Sequence, residues 1–218
     1  MEKLDKFYKK INGNYFGLIS VFVAAISITV AQLLYIAVDP TFSITTNFIS
    51  DLGTGPNNSD VVFNIGMILT GIFFIPYFIY LGWYLQKKDK KMNLLIKGMI
   101  AGLIASIGLI LVGFFPLDPE NLYSYNMHII AAGILFYGLL IMLLIYGISE
   151  YINPEIPNLL SILSFIAAIL FGAFITIVII QYSSATPFEA YTYIIEWIGL
   201  WATGVWAIAH IYYTLKNK

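Results

Sequence analysis

The stretch Gln86-Lys87-Lys88-Asp89-Lys90-Lys91-Met92-Asn93 separates two long apolar runs, residues 61–85 and 94–115. Each run is long enough for a helix rising 1.5 Å per residue to cross a hydrocarbon core of ~30 Å. Four more runs of this kind occupy residues 15–38, 125–149, 158–181 and 190–214. The basic residues fall between and outside them. All eleven are lysine, and they sit at 3, 6, 9 and 10, at 87, 88, 90, 91 and 97, and at 216 and 218. Short cytoplasmic segments collect Lys and Arg. Six spans place both termini and the 86–93 connection on that one side, whereas five or seven spans would divide the lysines. The expectation is an all-α, polytopic six-helix transmembrane bundle over residues 1–218 with cytoplasmic N and C termini.

Composition agrees. With 60% hydrophobic and 11% charged residues, the chain departs from soluble domains, in which roughly a quarter of residues are charged. There is no cysteine, which excludes disulfides and thiolate chemistry. No basic aromatic patch points to nucleic acid, so membrane lipids are the expected partners. The run 15–38 is too long for the apolar region of a signal peptide and reads as a retained first span. Exclusive use of Lys among the basic residues, with abundant Ile, suggests an AT-rich prokaryotic genome, archaeal for choice, and a plasma-membrane location.

Ionisable groups inside spans are costly and so are candidates for function. Glu196 lies about six residues, roughly 9 Å, into the last span. Gly199 and Thr203 share its helix face, which therefore looks into the bundle. The plain alternative is a neutral carboxyl bonded to Thr203 or to a backbone carbonyl. His128 lies near the same end of the fourth span. Asp118 precedes it in Phe-Pro-Leu-Asp-Pro-Glu, where it also suits a helix N-cap followed by Pro. The 39–60 connection carries Asn47, Ser50 and Asp51, and Asn64 enters the second span about one turn down. Ser59 or Asp60 can cap that helix. The apolar Phe48, Ile49 and Leu52 predict that this loop folds back over the bundle.

Asp51, Asp118, His128 and Glu196 are thus the candidate catalytic groups, with Asn47, Ser50 and Asn64 as ligand-binding candidates. Together they could serve as an acid–base pair or hold a divalent metal ion. No fixed ligand spacing supports the metal. His210 lies about 21 Å further along the helix than Glu196 and reads as an interface residue near a helix C-terminus. Three functions remain open: a lipid-binding or lipid-processing protein with an outward-facing polar cavity, a small-solute or ion transporter, and a structural or assembly subunit. Span interiors that are mostly apolar argue against a polar path through the membrane.

The elements Phe48-Ile49-Ser50-Asp51-Leu52-Gly53-Thr54-Gly55-Pro56, Phe63-Asn64-Ile65-Gly66-Met67, Gly113-Phe114-Phe115-Pro116-Leu117-Asp118 and His128-x-x-x-Ala132-x-x-x-Phe136 resemble an uncharacterised prokaryotic membrane family, domain of unknown function 998. The matching positions are Ser50, Asp51, Gly53, Pro56, Asn64, Asp118 and His128. Glu196 rests on its burial alone. More distantly, the Ile-Ser-Asp-x-Gly element is similar to the damage-regulated autophagy modulators and to a Golgi protein that assists lipid remodelling of GPI anchors. The resemblance implies a six-helix bundle with these residues at the non-cytoplasmic face and implies no particular reaction.

Overall fold

A computed structural model describes residues 2–88 and 93–217. Its helices are α1 (Glu2–Lys10), α2 (Asn14–Ile36), α3 (Ser59–Lys88), α4 (Asn93–Phe114), α5 (Leu122–Tyr151), α6 (Asn158–Ser183) and α7 (Ala190–Lys216), with a short 3-10 turn, Ile49–Thr54, between α2 and α3. Helices α2 to α7 are long and apolar enough to cross a membrane. The described residues contain no strand, and the protein is an all-α polytopic bundle. Helix ends match the expected spans within about three residues. At α5 the helix starts at Leu122 because Asn121, and not Asp118, is its cap: Asn121 Oδ1 accepts the Ser124 N–H at 3.2 Å. Asp118 instead accepts the Glu120 N–H at 2.9 Å and closes the connection on itself.

Consecutive helices pack side by side, and α7 returns to α2, closing the ring. Without a hydrophobic drive inside lipid, close backbone approach supplies the contact. A Cβ on Gly138 of α5 would meet the Ala105 nitrogen of α4 at 2.8 Å, so only glycine permits that crossing. Large apolar side chains such as Leu33 and Ile169 face outward, as a hydrocarbon solvent requires.

The lysine-bearing segments gather at one end. There Asp5 of α1 pairs with Lys87 of α3 at 2.8 Å and accepts Trp83 Nε1–H at 2.7 Å. Tyr8 donates to the Pro76 carbonyl at 2.7 Å. Asn14 and Thr214 join α2 to α7 at 2.7 Å. Lys90, Lys91 and Lys218 lie outside the described residues. The connections 37–58, 115–121 and 184–189 cover the opposite end, called here the loop end.

In the last of these, Ala185 has φ of 53°. The left-handed region costs an L-residue about 1–2 kcal/mol. Glycine removes that strain but adds about 0.5–1 kcal/mol of unfolded-chain entropy. Ala185→Gly is therefore expected to raise the melting temperature by about 1–3 °C, and a fall would contradict the strain. Asn57 and Asn58 are also left-handed, with φ of 58° and 62°, and asparagine tolerates this region better.

Candidate functional site

The 39–58 loop is built by its own polar residues. Asp39 Oδ1 accepts from Thr41 N–H and Oγ1–H at 3.0 and 2.6 Å. Asp51 Oδ2 accepts the Phe48 N–H at 3.0 Å and Asn47 Nδ2–H at 3.2 Å, capping the 3-10 turn. Burial pushes the Asp51 carboxyl above the usual carboxylate range, while these two hydrogen bonds pull the other way. The turn then presents Ile49 and Leu52 inward, where both are buried. Phe48 packs against Phe174, Phe188 and Tyr193. The loop folds over the bundle as its apolar residues lead one to expect.

Several hydrogen bonds fasten it to the helices, among them Asn57 Nδ2–H to the Leu34 carbonyl of α2 at 3.1 Å. Asn64 Nδ2 donates to the Gly53 carbonyl at 3.0 Å, and Trp197 Nε1 donates to the Asn47 carbonyl at 3.0 Å. Glu196 Oε2 accepts the Ile49 N–H at 2.9 Å. Glu196 is buried, so one carboxyl of α7 holds the first residue of the turn. Thr203 is not its partner. That hydroxyl donates to the Gly199 carbonyl on its own helix at 3.0 Å.

Beneath the turn lies a cavity of about 60 Å³, room for about two waters at ~30 Å³ each. Glu196, His128 and Ser50 line it, with Phe63, Met67 and Val112 among its apolar walls. His128 Nδ1 lies 2.7 Å from the Phe115 carbonyl. A carbonyl only accepts, so Nδ1 carries the proton, and in the neutral ring Nε2 is left with a lone pair. The polar wall of the cavity thus consists of a carboxyl, an imidazole acceptor and the Ser50 hydroxyl, which can donate or accept. Such a wall suits a ligand that brings hydrogen-bond donors. Glu196 and His128, two of the four candidate catalytic groups, both line this cavity. Asp51 is committed to the turn, Asp118 to its own connection, and Asn47 and Asn64 to fastening the loop. Among the described residues no three His, Asp or Glu side chains converge as a metal ion would require.

A second polar cluster, absent from the sequence-based candidates, lies at the lysine end. Glu150 Oε1 of α5 and His210 Nε2 of α7 are 2.6 Å apart, and both side chains are 0% exposed. His210 is therefore a core residue and not the interface residue expected. Its Nδ1 lies 2.7 Å from the Trp206 carbonyl. Ser164 of α6 completes the set: its hydroxyl lies 2.9 Å from Glu150 Oε2 and accepts Trp206 Nε1–H at 2.7 Å. Ser, His and Glu suggest a hydrolase triad, but the connectivity is wrong. The imidazole touches the carboxylate and not the hydroxyl, so it cannot take the serine proton. Full burial also denies a substrate access. The cluster ties three helices together. Its sequence signal was the polar Ser164 and His210 inside apolar runs. Glu150 falls one residue beyond the expected span 125–149, where an acid reads as part of the connection.

No curated protein and no solved structure matches the chain. A family profile matches residues 18–211, from within α2 to within α7, and so includes both polar clusters and the loop. The chain belongs to the family described as Protein of unknown function (DUF998).

Proposed function

We propose that this is a multi-pass protein of a prokaryotic plasma membrane, with both termini cytoplasmic. Its loop end binds the headgroup of a membrane lipid between Glu196 and His128. The observation that carries this reading is that Glu196 and His128 line one cavity under a turn that Glu196 itself holds through the Ile49 N–H. A headgroup is larger than the cavity, so binding requires the turn to lift. An ammonium or hydroxyl that takes the Glu196 carboxyl away from Ile49 supplies the reason for it to do so. The Glu196 carboxylate and the His128 Nε2 both accept, which favours donor-bearing headgroups such as ethanolamine or glycerol over a bare phosphate. An imidazole beside a carboxyl also fits proton transfer to or from such a headgroup.

Transport is the second reading, and the buried Glu150–His210 pair at the opposite end is what favours it. Its weakness lies between the two clusters. His210 follows Glu196 by about 21 Å along α7, and the interval is filled by buried apolar groups such as Phe171 and Ala207.

The test is native mass spectrometry of the protein released from vesicles of phosphatidylethanolamine and phosphatidylcholine in equal parts. Retention of phosphatidylethanolamine in preference is expected, and its loss in both Glu196→Gln and His128→Leu. Equal retention of the two lipids, or an unchanged preference in both variants, would refute the reading.

A further inference from the structure

The seam between α4 and α5 opens on the lipid-facing side into a groove of about 600 Å³, within the ~300–1,000 Å³ of small-molecule sites. Its floor is made by Ala101 and Gly138, and its walls by isoleucines, including Ile104, Ile134 and Ile141. At Gly133 nothing lies within 4 Å of the place a Cβ would take. The groove stays open there because the residue has no side chain. Along α5 it runs from Ile145 to Ile130, about 22 Å at 1.5 Å per residue. One leaflet contributes about 15 Å of hydrocarbon, half of ~30 Å. The groove is thus long enough for an extended acyl chain that reaches past the midplane.

Lys97 forms the end of the groove at the lysine end of the bundle. It stands on the first turns of α4 and is exposed. Among the described residues no acidic side chain pairs with it. A cation at the membrane boundary above an apolar channel matches a lipid with a negative head and a long tail. A chain entering the groove leaves one hydrocarbon environment for another, so the hydrophobic effect contributes little. Discrimination must come from the lysine and from the fit of the channel.

A second copy of the chain suits this face less well. Copies related by a two-fold axis normal to the membrane present the same patch to each other. Two Lys97 ammonium groups would then meet at one depth.

We infer that the α4–α5 groove binds an anionic phospholipid of the lysine-side leaflet, its phosphate at Lys97 and one acyl chain laid along Ala101, Gly138 and Gly133. This site lies on the outer surface of α4 and α5 and stands independently of the headgroup reading at the loop end.

The experiment uses the full chain with Glu196→Gln and His128→Leu, a background that is wild type at the groove and removes the loop-end headgroup site from the readout, in nanodiscs of phosphatidylcholine and phosphatidylglycerol in equal parts, with bound lipid identified by native mass spectrometry. That background is expected to retain phosphatidylglycerol about fivefold over phosphatidylcholine, the worth of one lysine beside an anionic lipid. Lys97→Gln is expected to lose the preference while keeping a lipid, and Lys97→Arg to keep both. Gly133→Phe, placed where there is open space, is expected to lose the lipid while keeping the melting temperature of the background. An unchanged preference in Lys97→Gln, a lipid still held by Gly133→Phe, or a lipid-free dimer as the main species would each overturn the inference. A Gly133→Phe protein that melts early is replaced by Gly133→Leu, read against the same outcomes.

Discussion

Replacing Glu150 by alanine is expected to cost about 3–5 kcal/mol, the loss seen when one partner of a buried ion pair is removed. The cost arises from what stays behind. His210 would remain fully buried with its Nε2 facing a void, while Nδ1 stays on the Trp206 carbonyl. Ser164 would lose its 2.9 Å contact with Oε2, and the Trp206 indole rests on that hydroxyl at 2.7 Å. Three helices are loosened by one truncation. For a chain of this size the change corresponds to a fall in melting temperature of about 6–20 °C, read by thermal unfolding in detergent. Glu150→Gln should lose much less, because its amide N–H can donate to the Nε2 lone pair of a neutral His210 ring. Replacing the pair together, as Glu150→Leu with His210→Phe, should recover part of the loss, since no uncompensated polar group remains. A Glu150→Ala protein that melts with wild type would show that the cluster does not hold the bundle.

The second large effect is local. Glu196→Ala leaves the Ile49 N–H unpaired in a buried place, which costs about 1–3 kcal/mol. Most of that falls on the loop, because α7 keeps its helical hydrogen bonds and its buried Trp197 and Trp206. The expected result is faster amide exchange across the Ile49–Thr54 turn, about thirtyfold for a loss near 2 kcal/mol, with exchange in the helix centres unchanged. Glu196→Gln retains an acceptor for Ile49 and should exchange nearly as wild type. Exchange of the turn at wild-type rates in the alanine variant would separate the loop from α7.

The two clusters differ in how legible they were. Apolar run length is a one-dimensional property, so hydropathy and the lysine pattern located the six spans to within a turn. His128 and Glu196 could be brought together because they share a depth and because the small-residue face of α7 oriented Glu196 inward. Glu150 and His210 share a depth too. Recognising them required knowing that α5 runs on to Tyr151, past the apparent end of its apolar run, and that α5 and α7 turn these faces toward each other. Caps were ambiguous for a local reason. Asp118 and Asn121 can both accept a helix N–H, and only the folded chain shows that Asn121 takes the Ser124 N–H while Asp118 takes that of Glu120. Asp51 looked catalytic because it is acidic and flanked by apolar residues. The same surroundings suit an acid that caps a buried 3-10 turn. The Gly133 groove left no sequence signal at all, since a glycine in open space and a glycine at a tight crossing such as Gly138 read alike.

Glu196 holds the loop closed over the pocket through the Ile49 N–H, and the absence of cysteine in the chain allows this closure to be tested with a single introduced thiol. Met67 lines the cavity and is 3% exposed, whereas Asn58 lies on the exposed loop surface. With Glu196 intact, a small methanethiosulfonate reagent should label Asn58→Cys readily and leave Met67→Cys largely unmodified. Adding Glu196→Ala should bring Met67→Cys labelling close to the Asn58→Cys rate. Fast labelling of Met67→Cys while Glu196 is intact, or continued protection once it is removed, would show that Glu196 does not hold the loop closed.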